Sequence, residues 1–210
     1  MFKNVLKYSL LLLFITSCTT SQFNLILESG SGEYKKSQVF DRPFDEVWKA
    51  AVTVMQKWPI ITIEKESGIL VTENIDMSNA YPPEYRTRWV PAKKTPKGAQ
   101  VLASAPVQVD PGGVPLYSSA FVNEITFPTE ISRCTIRVES LGQNSTQVTV
   151  NFISKIIYTR TDVLQNKMTI QTQHELQASG SDYYEAFYLY EIGKKLGIEA
   201  SEPPKPTFNP

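Results

Sequence analysis

The stretch FDRPFDEVWKAAVTVMQKWPIITIEKESGILVTE, residues 40–73, decides how this chain folds. Phe44, Val47, Trp48, Ala51, Val52, Met55 and Trp58 recur at three- and four-residue steps, one apolar stripe down a helix. Pro43 suits the first turn, where its missing N–H would go unpaired anyway. Asp45 and Glu46 sit near the positive end of the helix dipole and Lys57 near the negative end. Pro59 stops the helix. Ile61 and Ile63 then alternate with Thr62 and Glu64, Glu66-Ser67-Gly68 turns the chain, and Ile69 to Thr72 returns. The spacing predicts a helix and then a hairpin, with Ile61 and Ile63 half-buried and facing the helix.

C-terminal to this stretch, residues 76–117 hold seven prolines (82, 83, 91, 96, 106, 111 and 115). Regular sheet cannot run through all of it, so it reads as a Pro-rich insertion with one strand near Tyr85–Val90. Arg86, Arg88, Lys93, Lys94 and Lys97 make it locally basic. Strands are expected at Ser118–Phe127, Cys134–Val138 and Thr146–Tyr158, the last alternating through Val148, Val150 and Phe152 with one wet face. Residues 159–178 are Gln/Thr-rich and fit either strand or loop. A second helix is expected from about Ser181, with Tyr183, Tyr184, Phe187, Tyr188, Tyr190, Ile192 and Leu196 as a broad aromatic surface and Gly197 past its end. Residues 199–210 carry four prolines and are expected to be a disordered tail.

On the N-terminal side lies a targeting signal. Lys3 and Lys7 precede an apolar run from Tyr8 to Ile15, far short of the ~20 residues of a spanning helix. Ile15-Thr16-Ser17-Cys18 resembles the bacterial lipobox. That resemblance implies a diacylglycerol on Cys18, removal of residues 1–17 and acylation of the new amino group. Thr rather than Asp at residue 19 favours export to the outer membrane by the same resemblance. Acyl chains on one residue anchor stably, since each buried methylene contributes ~0.8 kcal/mol. Residues 18–36 then read as a lipidated tether, in which the apolar Phe23–Leu27 could add a strand or dock on the domain, broken at Ser29-Gly30-Ser31-Gly32.

Charge narrows the function. The chain has 21 basic and 21 acidic residues; without Lys3 and Lys7 it has 19 against 21. Nucleic-acid binding needs a basic surface, so it is not expected. His174 is the one histidine and reads as a surface residue in a polar segment. No Gly-x-Ser-x-Gly elbow, phosphate loop or dinucleotide fingerprint occurs. Cys134 reads as a small buried hydrophobe. No enzyme activity, metal or cofactor is expected.

The pattern Pro-Phe-Asp-x-Val-Trp-x-Ala, followed by Ser-Gly-x-Leu-Val-Thr, is similar to domains of outer-membrane lipoproteins of the BamC type. The likeness covers about 34 residues well. It implies a helix-grip-like α+β fold: an antiparallel sheet packed on a long C-terminal helix, with a shorter helix near the N-terminus, over residues 37–198. The expected function is a non-enzymatic interaction module in the cell envelope, held by acyl chains at the periplasmic face of the outer membrane, in outer-membrane assembly or maintenance. Its protein partner would meet Arg86 and Trp89 or the exposed side of Tyr184, Phe187 and Tyr188. The alternative is a carrier, with a lipid or other hydrophobic ligand between Tyr184, Phe187 and Tyr188 and the strand bearing Val150 and Phe152.

Overall fold

The computed structural model describes residues 20–77, 85–109, 115–116, 129–163, 169–178 and 180–208. In chain order its strands are β1 (Thr20–Ser29), β2 (Ser37–Phe40), β3 (Ile60–Glu64), β4 (Ile69–Thr72), β5 (Ile75–Asp76), β6 (Tyr85–Pro91), β7 (Gln100–Val109), β8 (Pro115–Leu116), β9 (Thr129–Gly142), β10 (Ser145–Val163) and β11 (Thr169–Ala178). The helices are α1 (Phe44–Met55) and α2 (Tyr183–Lys195). The chain divides into two compact units: a small one, Met1–Leu27 with Thr87–Asn123, and a large one, Glu28–Arg86 with Glu124–Pro210.

The large unit is built on an antiparallel sheet in the order β11-β10-β9-β4-β3, with β2 also paired to β10 and β5 to β9. One face is apolar. Leu70, Ile136, Val138, Val148 and Val150 point from it into a core shared with Val47, Ala51 and Met55 of α1 and Tyr188, Leu189 and Ile192 of α2. Strict alternation along β9 and β10 puts every second residue there. The other face is wet and carries Arg133, Arg137, Asn151 and the Ser37–Thr149 hydroxyl pair at 2.8 Å.

This corrects the expected architecture. The protein is mostly β, with two short helices and a large antiparallel sheet, not a sheet packed on a long C-terminal helix. α1 and α2 are near equals at 12 and 13 residues. Asp182, at φ 67, precedes α2, and Gly197, at φ 73, follows it, so the backbone leaves the helical region at both ends. The Gln/Thr-rich segment pairs in register as β11, Ser154 opposite Ala178 and Val163 opposite Thr169. It has no apolar periodicity because cross-strand pairing, not burial, places it.

Three further expectations change. Ile63 lies opposite Leu70, on the helix-bearing face as expected, but β3 ends the sheet and Ile63 is 55% exposed. A bulge at Ile61 leaves that residue 51% exposed, and Ile60 packs on the core instead. The stretch expected as a tether holds β1 from Thr20 onward. The expected insertion supplies β6, β7 and β8, which join β1 in a four-stranded sheet ordered β6-β1-β7-β8. The tail does not run free up to Phe208. Ser31 and Thr207 exchange backbone hydrogen bonds of 2.8 and 3.0 Å, and the Tyr34 hydroxyl donates to the Pro204 carbonyl at 2.8 Å. The strand expected at Ser118–Phe127 falls outside the described residues.

The hairpin turn is where sequence and fold agree most closely. Gly68 has φ +67, and its carbonyl accepts the Val138 N–H at 2.8 Å. An added Cβ would collide with the Val138 carbonyl oxygen. Gly68→Ala is therefore expected to lower the stability of the large unit by about 2–4 kcal/mol. Urea unfolding followed by tryptophan fluorescence checks this; an unchanged midpoint would mean the turn is not held against β9.

Candidate functional site

β10 is 19 residues long, and its two edges are treated differently. β9 follows one edge in steady register from Thr146 to Ile153. The opposite edge is shared: β2 covers Thr146–Thr149 and β11 covers Ser154–Val163. Val150 to Ile153 lie between the two. In an extended strand alternate N–H groups point to the same edge, so Val150 and Phe152 both present theirs to this gap. The Val150 N–H donates to the Lys36 carbonyl at 2.8 Å. The Phe152 N–H donates to Glu185 Oε1 at 3.0 Å.

Glu185 stands in the first turn of α2 and is only 3% exposed. The helix dipole favours a carboxylate there. Lys36 Nζ lies 2.8 Å from Asp182 Oδ1 and 3.9 Å from Glu185 Oε1, so one ammonium serves two carboxylates. Nearby, the buried hydroxyls of Ser132 and Ser154 meet at 2.6 Å, and Ser132 donates to Glu130 Oε1 at 3.3 Å. Lys36, Phe152, Ser154, Gln177, Asp182 and Glu185 border a polar cleft of about 220 Å³. That is below the ~300 Å³ at which drug-sized ligand sites begin. Its chemistry is that of a sealed joint: a carboxylate accepts the amide that no strand accepts, and a lysine balances its charge.

Cys134 lies in the same unit and is fully buried. Burial pushes its thiol well above the ordinary range, and the negative charge of Glu185 adds to the rise. Its backbone N–H donates to the Thr72 hydroxyl at 3.0 Å. His174 is half-buried on β11, where its ring stacks on Tyr158 at 5.1 Å.

The expected contact residues are placed as follows. Cys18 lies outside the described residues. Arg86 is not a projecting cation: its Nε is 2.8 Å from Glu28 Oε2, and its guanidinium lies 4.9 Å over the Phe208 ring. Trp89 is partly buried on β6. Tyr184 and Tyr188 are fully buried, and Phe152 packs against them at ring distances of 5.6 and 5.3 Å. The Tyr188 hydroxyl accepts the Trp58 indole N–H. Phe187, partly buried, packs edge-on to Tyr188 at 6.0 Å. Tyr184 and Tyr188 fill space between sheet and helix, where each packs against the Phe152 ring. Glu185 was the signal to read: it is the one charged residue in the apolar run Tyr183–Tyr188.

Among the described residues no helix is long and apolar enough to cross a membrane, and no three His, Cys, Asp or Glu side chains gather as a metal site.

Two predictions follow from this joint. Glu185→Ala leaves the Phe152 amide without its acceptor and should cost about 2–3 kcal/mol, while Glu185→Gln keeps an oxygen there and should cost less. Matched urea curves test the order, and equal losses would rule out the hydrogen bond as the cause. The Cys134 thiol is raised in the folded state, so the unfolded chain loses this proton first as pH rises. Stability should therefore fall above the unfolded thiol's pKa of ~8.5. Cys134→Ala should flatten that part of the profile; an unchanged slope assigns it to other groups.

Comparison with protein-family models, with curated proteins and with solved structures finds no match to this chain.

Proposed function

We propose that this chain is a lipid-anchored envelope protein that acts without catalysis, by holding another envelope protein at the membrane. The anchor is Cys18, the last residue of the lipobox-like Ile15-Thr16-Ser17-Cys18, and the setting is the periplasmic face of the outer membrane. Assembly or maintenance of that membrane is the role such placement suits. Tethering raises the effective concentration of the domain, so a weak contact suffices.

The observation that carries the reading is the exposed pair Ile61 and Ile63. Two isoleucines two residues apart, each more than half exposed, lie on the terminal strand of the large sheet. Scattered single apolar residues are normal on a surface, but an adjoining pair on the strand that ends the sheet among the described residues suits a protein contact. The partner surface therefore moves from Arg86 and the aromatic helix, whose polar and ring groups already have neighbours, to β3. Its occupant is an apolar, extended segment of another envelope protein, added along β3 and packed on the two isoleucines.

The test has two parts. The intact mass of the protein from the membrane fraction should carry acyl groups on a chain beginning at Cys18, and Cys18→Ser should lose them. A photo-crosslinking side chain at Ile61 should give one discrete adduct in intact cells, and the same group at Arg137, on the opposite face, should give none. Ile63→Lys should remove the adduct while shifting stability by less than about 0.5 kcal/mol. No adduct from Ile61, or equal adducts from Arg137, sinks the reading of the β3 edge.

A further inference from the structure

The chain's charge is divided unevenly between its two units. Downstream of Cys18 the small unit holds Arg88, Lys93, Lys94 and Lys97 against Asp110 alone. The large unit holds 15 basic and 20 acidic residues. The near-neutral whole thus hides a basic part and an acidic part. In the small unit the basic groups cluster. Lys93 and Lys94 close a single 3-10 turn, Ala92–Lys94, between β6 and β7, and Lys97 follows in the same crossover. All three lysines are exposed.

The crossover is pinned to β1. The Asn24 amide donates to the Thr95 hydroxyl at 2.9 Å, and the Ser104 hydroxyl donates to the Asn24 side-chain oxygen at 2.7 Å. Asn24 and Ser104 are register partners, so they share one face of the small sheet. At this end of the strand the face is polar, with Gln22 and Ser104 exposed and Asn24 half-buried; Ile26, of the same parity, is buried at the irregularity after Leu25, and Phe23, Leu25 and Ala103, of opposite parity, are buried. The lysine crossover is therefore held at the polar end of β1, at Asn24.

β1 begins at Thr20, two residues after Cys18. Two residues of extended chain reach ~7 Å, and Asn24 lies a further ~13 Å along the strand. With Cys18 acylated, Asn24, which holds the crossover, stays within ~20 Å of the lipid attachment. Electrostatic attraction falls off over ~8 Å at physiological salt. A strand standing away from the bilayer would put the lysines beyond that range, and a strand lying along it would put them inside.

We infer that the polar, lysine-bearing face of the small unit is a seat for anionic phospholipid headgroups, and that it lays β1 along the membrane beside the acylated Cys18. The lysines meet headgroup phosphates through exposed ammonium groups. The inference rests on the lipid anchor proposed above for Cys18.

The test uses the full mature protein, reconstituted in phosphatidylcholine vesicles with and without phosphatidylglycerol. Amide hydrogen exchange over residues 92–99 should slow only with phosphatidylglycerol, and molar salt or K93Q/K94Q/K97Q should abolish the slowing. In parallel, the chain from residue 18 with Cys18→Ser, which keeps every described residue, should bind phosphatidylglycerol vesicles. Its affinity should drop about fivefold for each lysine changed, about a hundredfold for all three. Equal exchange in both vesicle types, with the acyl mass present, overturns the seat and leaves the anchor standing. Lysine-dependent binding by a protein found to carry no acyl mass keeps the seat and overturns the anchor. Absence of both overturns both.

Discussion

The hydrogen bond from the Phe152 N–H to Glu185 closes the place where the large sheet changes partners. Along this edge of β10, β2 stops and β11 has not begun. An amide left there, away from water, would cost about 1–3 kcal/mol. The carboxylate that meets it belongs to the first turn of α2, so this contact fixes where the helix starts. It also fixes which side of the helix turns inward. Tyr188, Leu189 and Ile192 follow Glu185 at three, four and seven residues, the spacing of one helix face. All three are buried in the core against β9 and β10. One polar contact at the helix start and one apolar face behind it therefore impose the same rotation on α2.

A buried carboxylate needs its charge met, and Lys36 meets it from the residue just before β2. The same residue's carbonyl takes the Val150 amide. Lys36 thus closes both ends of the gap, by backbone at Val150 and by charge at Glu185. Pairs of this kind contribute little net stability compared with apolar packing, but breaking one partner is costly, and they define a single geometry. The pairing makes a short β2 sufficient. Four residues of strand, extended by Lys36, hold the chain between β1 and α1 to the sheet.

The parts of the fold that were legible in the sequence are those where one local rule acts alone. The apolar stripe from Phe44 to Met55 is α1, Gly68 is the turn with a positive φ, and Val148 and Val150 alternate into the core. The parts that were not legible depend on a distant partner. Thr20–Ser29 resembles a tether until β6 and β7 flank it. Prolines marked residues 76–117 as irregular, yet Pro91 ends β6, Pro115 opens β8, and Pro106 lies within β7 opposite Gln22. Ile61 and Ile63 have the pattern of a half-buried strand; the bulge at Ile61 and the position of β3 at the end of the sheet leave them open. Of the candidate site, the aromatic run is visible, and core packing of the terminal helix is the reading that accounts for most of it. Its rings were too many for a narrow stripe because they serve the sheet core and a second cluster of Ile75, Met77, Tyr183 and Tyr184. Glu185 and Lys36 lie 149 positions apart in sequence, and no local pattern relates them.

The start of β1 also changes what an anchor at Cys18 can do. A flexible arm over residues 18–36 would span roughly 60 Å and let the domain search freely. With strand from Thr20, only Cys18 and Thr19 would lie between acyl chains on Cys18 and the small sheet. The choice of surface is then made by charge, since the chain has little freedom to make it. The unit that begins beside the anchor is the basic one, and the acidic excess belongs to the other. Opposite charges at an anionic surface favour the first at short range and disfavour the second. A lipoprotein with the reverse arrangement would have its anchor and its electrostatics opposed. With Cys18 as the proposed anchor they would act in one direction, and both would favour the same orientation of the small sheet.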